Sequence, residues 1–223
     1  MLFSYKKYRI IIWTLIGLSI IISSLFFVML SPVKQLPVYQ PNMVESKLVD
    51  SSLRHIKRFH TVKDFRMLNQ NNQLVTLADY ENKIFIVDFF FTTCPTICPI
   101  MTDHMVHLQN RFLEDQQVKF LSFSVTPEID TVEQLKSYSM EKGIIDDKWN
   151  LVTGDRKEIF ELARKSFLVV KATHNPLEMV HTENFVLIDP EKRIRGFYDG
   201  TNQREISQLE KDIRILKKEY RKL

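Results

Sequence analysis

Cysteine is scarce in this chain: there are two in 223 residues, and both fall inside one nine-residue stretch. Glycine is scarce too, with 5 residues beside 8 prolines, 44% hydrophobic and 26% charged residues. That composition excludes collagen-like, low-complexity and wholly disordered readings. There are no internal repeats. Acidic residues are missing from residues 1–33, where the only charges are Lys6, Lys7 and Arg9. Residues 203–223 hold seven basic and four acidic side chains, so the formal net charge of +4 leaves 34–202 at −2. A slightly acidic central stretch gives no electrostatic footprint for DNA or RNA.

Charge is absent altogether from Ile10 to Leu30, IIIWTLIGLSIIISSLFFVML. At ~1.5 Å per residue this run matches the ~30 Å hydrocarbon core of a bilayer, so a transmembrane helix is expected over 10–30. The rival is a cleaved signal peptide, which needs an apolar run of ~7–15 residues and small residues at a cleavage site. This run is longer and ends Phe26-Phe27-Val28-Met29-Leu30 before Pro32. No cysteine lies near it, which argues against a lipoprotein. Lys6, Lys7 and Arg9 against a single near downstream charge, Lys34, put residues 1–9 in the cytoplasm by the positive-inside rule. The rest of the chain is then expected outside, facing the periplasm of a bacterial inner membrane, where thiols can oxidise. Residues 31–59, with three prolines and no sustained period, read as a linker ending in a short docking segment.

From residue 60 onward strands alternate with helices. Val62, Phe65 and Met67 lead into Asn69-Gln70-Asn71-Asn72 and then Leu74, Val75 and Leu77, a hairpin pattern with an Asn-rich turn. Ile84–Phe91 is a nearly continuous β-prone apolar run, expected of a central strand covered on both faces. A helical pattern through Met101, Met105, Leu108 and Phe112 follows it. Val118–Val125 reads as a second buried strand, followed by a helix near Thr131–Lys142. A short strand at Trp149–Val152 and a helix over Arg156–Ser166 come next. Phe185–Ile188, the turn Asp189-Pro190-Glu191-Lys192 and Ile194–Tyr198 form a terminal hairpin. This is an α/β architecture with a mixed sheet flanked by helices, the element order of thioredoxin-like folds, in a domain spanning 60–223. Ile206, Leu209, Ile213, Leu216, Tyr220 and Leu223 then recur three and four apart. They suit a last helix laid on the sheet; a coiled-coil dimer seam or a basic face along an anionic leaflet are the alternatives.

The two cysteines lie in Phe91-Thr92-Thr93-Cys94-Pro95-Thr96-Ile97-Cys98-Pro99, at the exit of the expected central strand. If the helix starts here, the spacing of four puts both sulfurs on one face of its first turns. There the helix dipole and free N–H groups favour thiolate, the form that binds metal or attacks a disulfide. The plainer alternative is a buried disulfide or two core thiols, although closing so short a loop would constrain the chain little. Two thiolates on an exposed turn select soft or borderline metals, with an imidazole as the usual third ligand. Of six histidines, His181 is best placed by topology, just before the strand Phe185–Ile188. His104 and His107 read as solvated helix-face residues. A zinc site of Cys94, Cys98, His104 and His107 would need spacings longer than these. His174 is an outside candidate for an extra metal contact, and His55 and His60 are given no specific role. Met101 and Met105 fit a core stripe better than a thioether copper box.

The chain resembles the SCO/SenC family of membrane-anchored copper proteins that assist cytochrome c oxidase assembly. The resemblance covers roughly 60–215 and rests on FTTCPTICPIM, FSVTPEIDTVEQL, WNLVTGDRKEIFELARK and HTENFVLIDPEKRIRGFYDG. It implies a thioredoxin-like fold, a single N-terminal transmembrane helix, Cys94 and Cys98 as copper and redox cysteines, and His181 as the third copper ligand. Many relatives carry Asp where this chain has Thr96, Thr126 and Val180, so the acids that would tune the thiols differ here. The resemblance implies a copper metallochaperone whose acceptor is an oxidase subunit, with an upstream copper donor or thiol reductant. The second reading is a thiol–disulfide oxidoreductase in which Cys94 attacks and Cys98 resolves. A peroxidase is disfavoured because no Thr-x-x-Cys arrangement with a supporting Arg is present.

Overall fold

Seven consecutive residues, Ile84–Phe90, form a strand with every side chain buried. In the computed structural model, which describes residues 2–30, 35–45, 49–50, 52–169 and 182–221, this strand lies inside a seven-stranded sheet. We number the strands β1 (Arg66–Asn69), β2 (Leu74–Thr76), β3 (Ile84–Phe90), β4 (Val118–Ser124), β5 (Trp149–Thr153), β6 (Asn184–Ile188) and β7 (Ile194–Asp199). Their order across the sheet is β2-β1-β5-β4-β3-β6-β7. β3, β4 and β5 are parallel, while β1 joins β5 and β6 joins β3 antiparallel. The mixed thioredoxin-like sheet expected from the strand and helix periodicities is therefore present.

The helices are α1 (Leu2–Leu30), α2 (Ile97–Arg111), α3 (Val132–Lys142), α4 (Arg156–Glu161) and α5 (Gln203–Tyr220). Parallel strands need crossovers, and α2 and α3 supply them between β3, β4 and β5. Strand alternation sorts the core into two layers. Ile84, Ile86 and Phe90 face the layer containing Cys94, Cys98, Met101, Met105, Leu135, Tyr138 and the stripe of α5. Phe85, Val87 and Phe89 face the layer containing Phe65, Phe123, Ile159 and Phe167. Met101 and Met105 are thus core residues, 1% and 0% exposed.

Local chemistry accounts for the boundaries. In the β1–β2 turn Asn69 Oδ1 accepts from the N–H groups of Asn71 and Gln73, and Asn72 takes a left-handed φ of 57°. Asparagine tolerates that conformation better than most residues. Thr131 caps α3 by accepting from Gln134 N–H, and Gly143 ends it at φ 70°. Asp155 caps α4 through Glu158 N–H.

Three expectations are corrected, and the sheet-packed reading of the last helix is kept over its coiled-coil alternative. The helix carrying the second cysteine begins at Ile97, so Cys94 precedes it in the turn. The expected helix over 156–166 divides into α4 and a wider π turn, Leu162–Ser166, whose backbone bond runs from Phe167 N–H to Leu162 O at 2.9 Å. The apolar stripe of α5 lies on the sheet: Ile206, Leu209, Ile213 and Leu216 are 1% exposed or less, leaving no seam for a coiled coil. The segment expected to be a linker to residue 59 is already packed from Gln35, where the second compact unit of the chain starts.

Arg195 explains that packing. It is 3% exposed and donates to Leu36 O (2.7 Å), Pro37 O (3.0 Å), Asp189 Oδ2 (3.0 Å) and Glu219 Oε2 (2.6 Å). A buried guanidinium needs such partners, so the segment at 36–37 is tied to the β6–β7 hairpin and to α5. The first unit, Met1–Lys34, contains α1, whose span Tyr8–Phe27 has a mean hydropathy of 2.5 and is long and apolar enough to cross a membrane.

Candidate metal centre

The exit of β3 builds the site. Phe91 leaves the sheet, Cys94 N–H donates back to Phe91 O at 3.3 Å, and α2 starts three residues after Cys94. Cys98 sits in the first turn of α2. Both cysteines are free thiols. The turn itself is exposed at Thr93, Pro95 and Thr96, but the cysteines point inward and are only 8% and 4% exposed. An open pair of sulfurs was expected; the fold covers them instead.

The two sulfurs are unequal. Burial opposes ionisation of Cys94, but N–H groups of Cys98 and Thr96 aim at its sulfur, joined by the Cys98 thiol and the Thr96 hydroxyl. Together they bring Cys94 down to about 7. Cys98 is deeper, and burial pushes it up to about 12, with Cys94 and Asp88 adding to the rise. The expectation that the helix terminus favours both thiolates therefore holds for Cys94 alone. Its physical reason is position: the free N–H groups of the helix start point out of the turn toward Cys94, while Cys98 lies against the core.

His181 and His174 lie outside the described residues. Among the described residues no three His, Cys, Asp or Glu side chains are grouped to hold a metal. Cys94, Cys98, His104 and His107 accordingly do not form a four-ligand site. His107 is exposed on α2, whereas His104 is half-buried, its Nδ1 2.7 Å from Gly200 O. That bond ties α2 to the start of α5, so His104 is no free surface residue. His60 also has a role: it is buried, its Nε2 lies 2.9 Å from Ser166 O in the π turn, and burial holds its pKa below the ordinary value. His55 is exposed.

Two acids near the cysteines were not singled out from the sequence. Asp88 is 2% exposed in β3, accepts from Ser122 Oγ, and is pushed up to about 7 by burial. Trp149 Nε1 donates to the same Ser122 oxygen at 2.7 Å. The signal was one charge inside IFIVDFFF. Asp130, 0% exposed, accepts from Thr92, Ser124 and Thr126 at the exits of β3 and β4. Its signal was weaker, a run of hydroxyl residues around an acid in a loop. As a donor set, two free sulfurs at the end of one strand suit a soft cation carried as cargo.

The chain is similar to known proteins in sequence and fold. The SCO1/SenC family model matches residues 54–217. A SCO1 protein homolog of Bacillus subtilis (strain 168) is 34% identical over 158 residues, covering 70% of this chain and 82% of that protein. The structure of BsSco, described as a member of the Sco family of cytochrome c oxidase assembly proteins with a disulfide switch, superposes with a TM-score of 0.61. It is 32% identical and covers 70% of this chain and 92% of that one. Arabidopsis thaliana ScoI, solved with copper bound, gives a TM-score of 0.56 at 27% identity, over 69% of this chain and 98% of that one. With its paired cysteines at the end of the central parallel strands and a family match over most of its length, the chain belongs to the SCO1/SenC family.

Proposed function

We propose that this protein carries copper as cargo, bound by Cys94, Cys98 and His181, and hands it by stepwise ligand exchange to an oxidase subunit whose copper centre is being assembled. The single observation that carries the reading is the pair of free cysteines placed together at the exit of β3, one in the turn and one in the first turn of α2. The copper bound by the Arabidopsis relative and the oxidase role of BsSco support it. Thiolates are soft donors and an imidazole completes a three-ligand set for copper. Cys94 ionises near neutral pH, whereas binding must expel the proton of Cys98, so uptake releases protons. The chain is anchored by residues 10–30 with its N-terminus in the cytoplasm and the domain outside, and a donor of copper or a thiol reductant acts before it. In an oxidising compartment the pair must be reduced before it can bind copper.

The inequality of the thiols favours a second activity, reduction of a disulfide in the acceptor, and the disulfide switch of BsSco points the same way. Cys94 thiolate attacks the acceptor disulfide, forming a mixed disulfide and releasing one acceptor thiolate. The Cys98 thiol gives up its proton and attacks Cys94 sulfur, closing Cys94–Cys98 and releasing the second thiolate. Two electrons pass to the acceptor. Anaerobic copper titration of the reduced chain tests the first reading: one-to-one binding is expected in the parent and its loss in Cys94→Ser, Cys98→Ser and His181→Ala. Equal binding by His181→Ala would overturn the ligand set. A parent that binds no copper yet reduces a disulfide through Cys94 would leave the oxidoreductase alone.

A further inference from the structure

The carboxylate of Asp130 is fully buried, and no ion pair among the described residues includes it. What surrounds it is a set of neutral donors from both sides of the site. Thr92 Oγ1 donates to Oδ1 at 2.6 Å, and Thr92 N–H reaches Oδ2 at 3.2 Å. Ser124 Oγ donates to Oδ2 at 2.6 Å and Thr126 Oγ1 at 3.1 Å. Gln134 of α3 closes the ring by donating Nε2 to Thr92 Oγ1 at 3.2 Å. Thr92 belongs to the turn that carries Cys94 two residues later; Ser124 and Thr126 belong to the end of β4 and the loop after it.

We propose that Asp130 is a positioning residue for the copper site, holding the Phe91–Pro95 turn so that Cys94 stands opposite Cys98. The inference rests on the copper reading above and adds to it the group that sets the site's geometry. The physical reason is the cost of moving Thr92. A buried carboxylate stripped of donors is far more expensive than a neutral acceptor, so the turn cannot drift without leaving charge unsatisfied. Ligands must be held to within ~0.5 Å of productive geometry, and stiffness two residues from the sulfur supplies that. Thr126 has a part in this. Its hydroxyl gives Asp130 one more donor from the loop after β4.

The test uses the full chain in nonionic detergent, with Thr92→Val, Thr92→Ser and Asp130→Asn. Three quantities are read: Cu(I) affinity by competition with a chromogenic chelator, the Cys94–Cys98 dithiol–disulfide equilibrium in a dithiothreitol buffer, and the urea midpoint. Thr92→Val should lose about tenfold in copper affinity, the usual consequence of one lost charge-assisted hydrogen bond. Its disulfide equilibrium should move by about threefold toward the dithiol, because the sulfurs meet less often. Thr92→Ser, which keeps the hydroxyl, should stay within about twofold of the parent on both readouts. Asp130→Asn should lose at least as much affinity as Thr92→Val; should Asp130→Asn not fold, the Thr92 pair decides alone. A lower urea midpoint with affinity and equilibrium unchanged would mean a merely structural role and would overturn the proposal. A parent that binds no copper overturns the copper reading instead, and the disulfide equilibrium of the Thr92 variants then decides the role of Asp130.

Discussion

Asp88→Asn is the perturbation on which the buried face of the site can be judged most sharply. The Asp88 carboxyl, pushed from its ordinary 3.8 to about 7 by burial, is only partly compensated by Ser122. In the native state it stays protonated up to about pH 7, while in the unfolded chain it ionises near 3.8. Between those values the native state binds the extra proton, so stability falls as pH rises and levels off above 7. One pH unit is worth about 1.4 kcal/mol, so the full loss is about 4 kcal/mol, more than half of it between pH 5 and 8. Asparagine keeps an acceptor for Ser122 but adds an amide N–H that needs a partner, costing about 1–3 kcal/mol at every pH. The variant should therefore be more stable than the parent at pH 8 and equal or weaker at pH 5. The assay is urea unfolding of the full chain in nonionic detergent, followed by fluorescence of Trp149, which is packed beside Ser122. His60 keeps the same surroundings in both proteins and cancels in the difference. Parent and variant with the same stability difference at pH 5 and pH 8 would refute the reasoning.

The remaining predictions concern the thiols and the packing. Iodoacetamide should label Cys94 of the reduced chain with a midpoint near pH 7 and leave Cys98 unlabelled until the chain is unfolded, as read by peptide mass spectrometry. Equal labelling at pH 8 would contradict the inequality. Arg195→Leu should cost about 3–5 kcal/mol in urea unfolding, because Asp189 and Glu219 lose their buried partner. Hydrogen exchange at residues 36–39 should speed up with it, and unchanged exchange there would show that the segment is held by something else. Leu209→Ala should cost about 2–5 kcal/mol without altering the sedimentation of the chain. A shift in sedimentation would restore the dimer seam.

Most of the fold could be read from periodicity because its strands are unusually plain. Ile84–Phe90 and Val118–Ser124 are apolar on both faces, which only strands covered on both sides can be, and helices sit on those faces. The β6–β7 hairpin announced itself through Asp189-Pro190. The start of α2 is open in the sequence because Pro95 and Pro99 permit more than one helix start, and local preference cannot choose between them. The packing of residues 35–45 left no periodic trace: it depends on Arg195, some 150 residues away, finding two backbone carbonyls. Contacts of that kind are not encoded in any window of neighbouring residues.

The cysteine pair was legible as a motif, but its chemistry was not, and the reason is directional. A spacing of four says that two side chains share a helix face only if both residues are helical. Here one is not, and that single departure separates their roles. Cys94, outside the helix, collects the N–H groups that the helix start leaves free; Cys98, inside it, is turned toward Asp88 and Tyr138 in the core. A carrier that must accept a metal and later release it gains from such a division. One sulfur is ionised and ready to engage first, and the other closes the site only when its proton leaves, so each transfer can proceed one ligand at a time. The same division serves disulfide chemistry, in which the attacking sulfur must ionise and the resolving sulfur must wait. In the proposed function, copper transfer and thiol exchange are therefore two uses to which one geometry would be put.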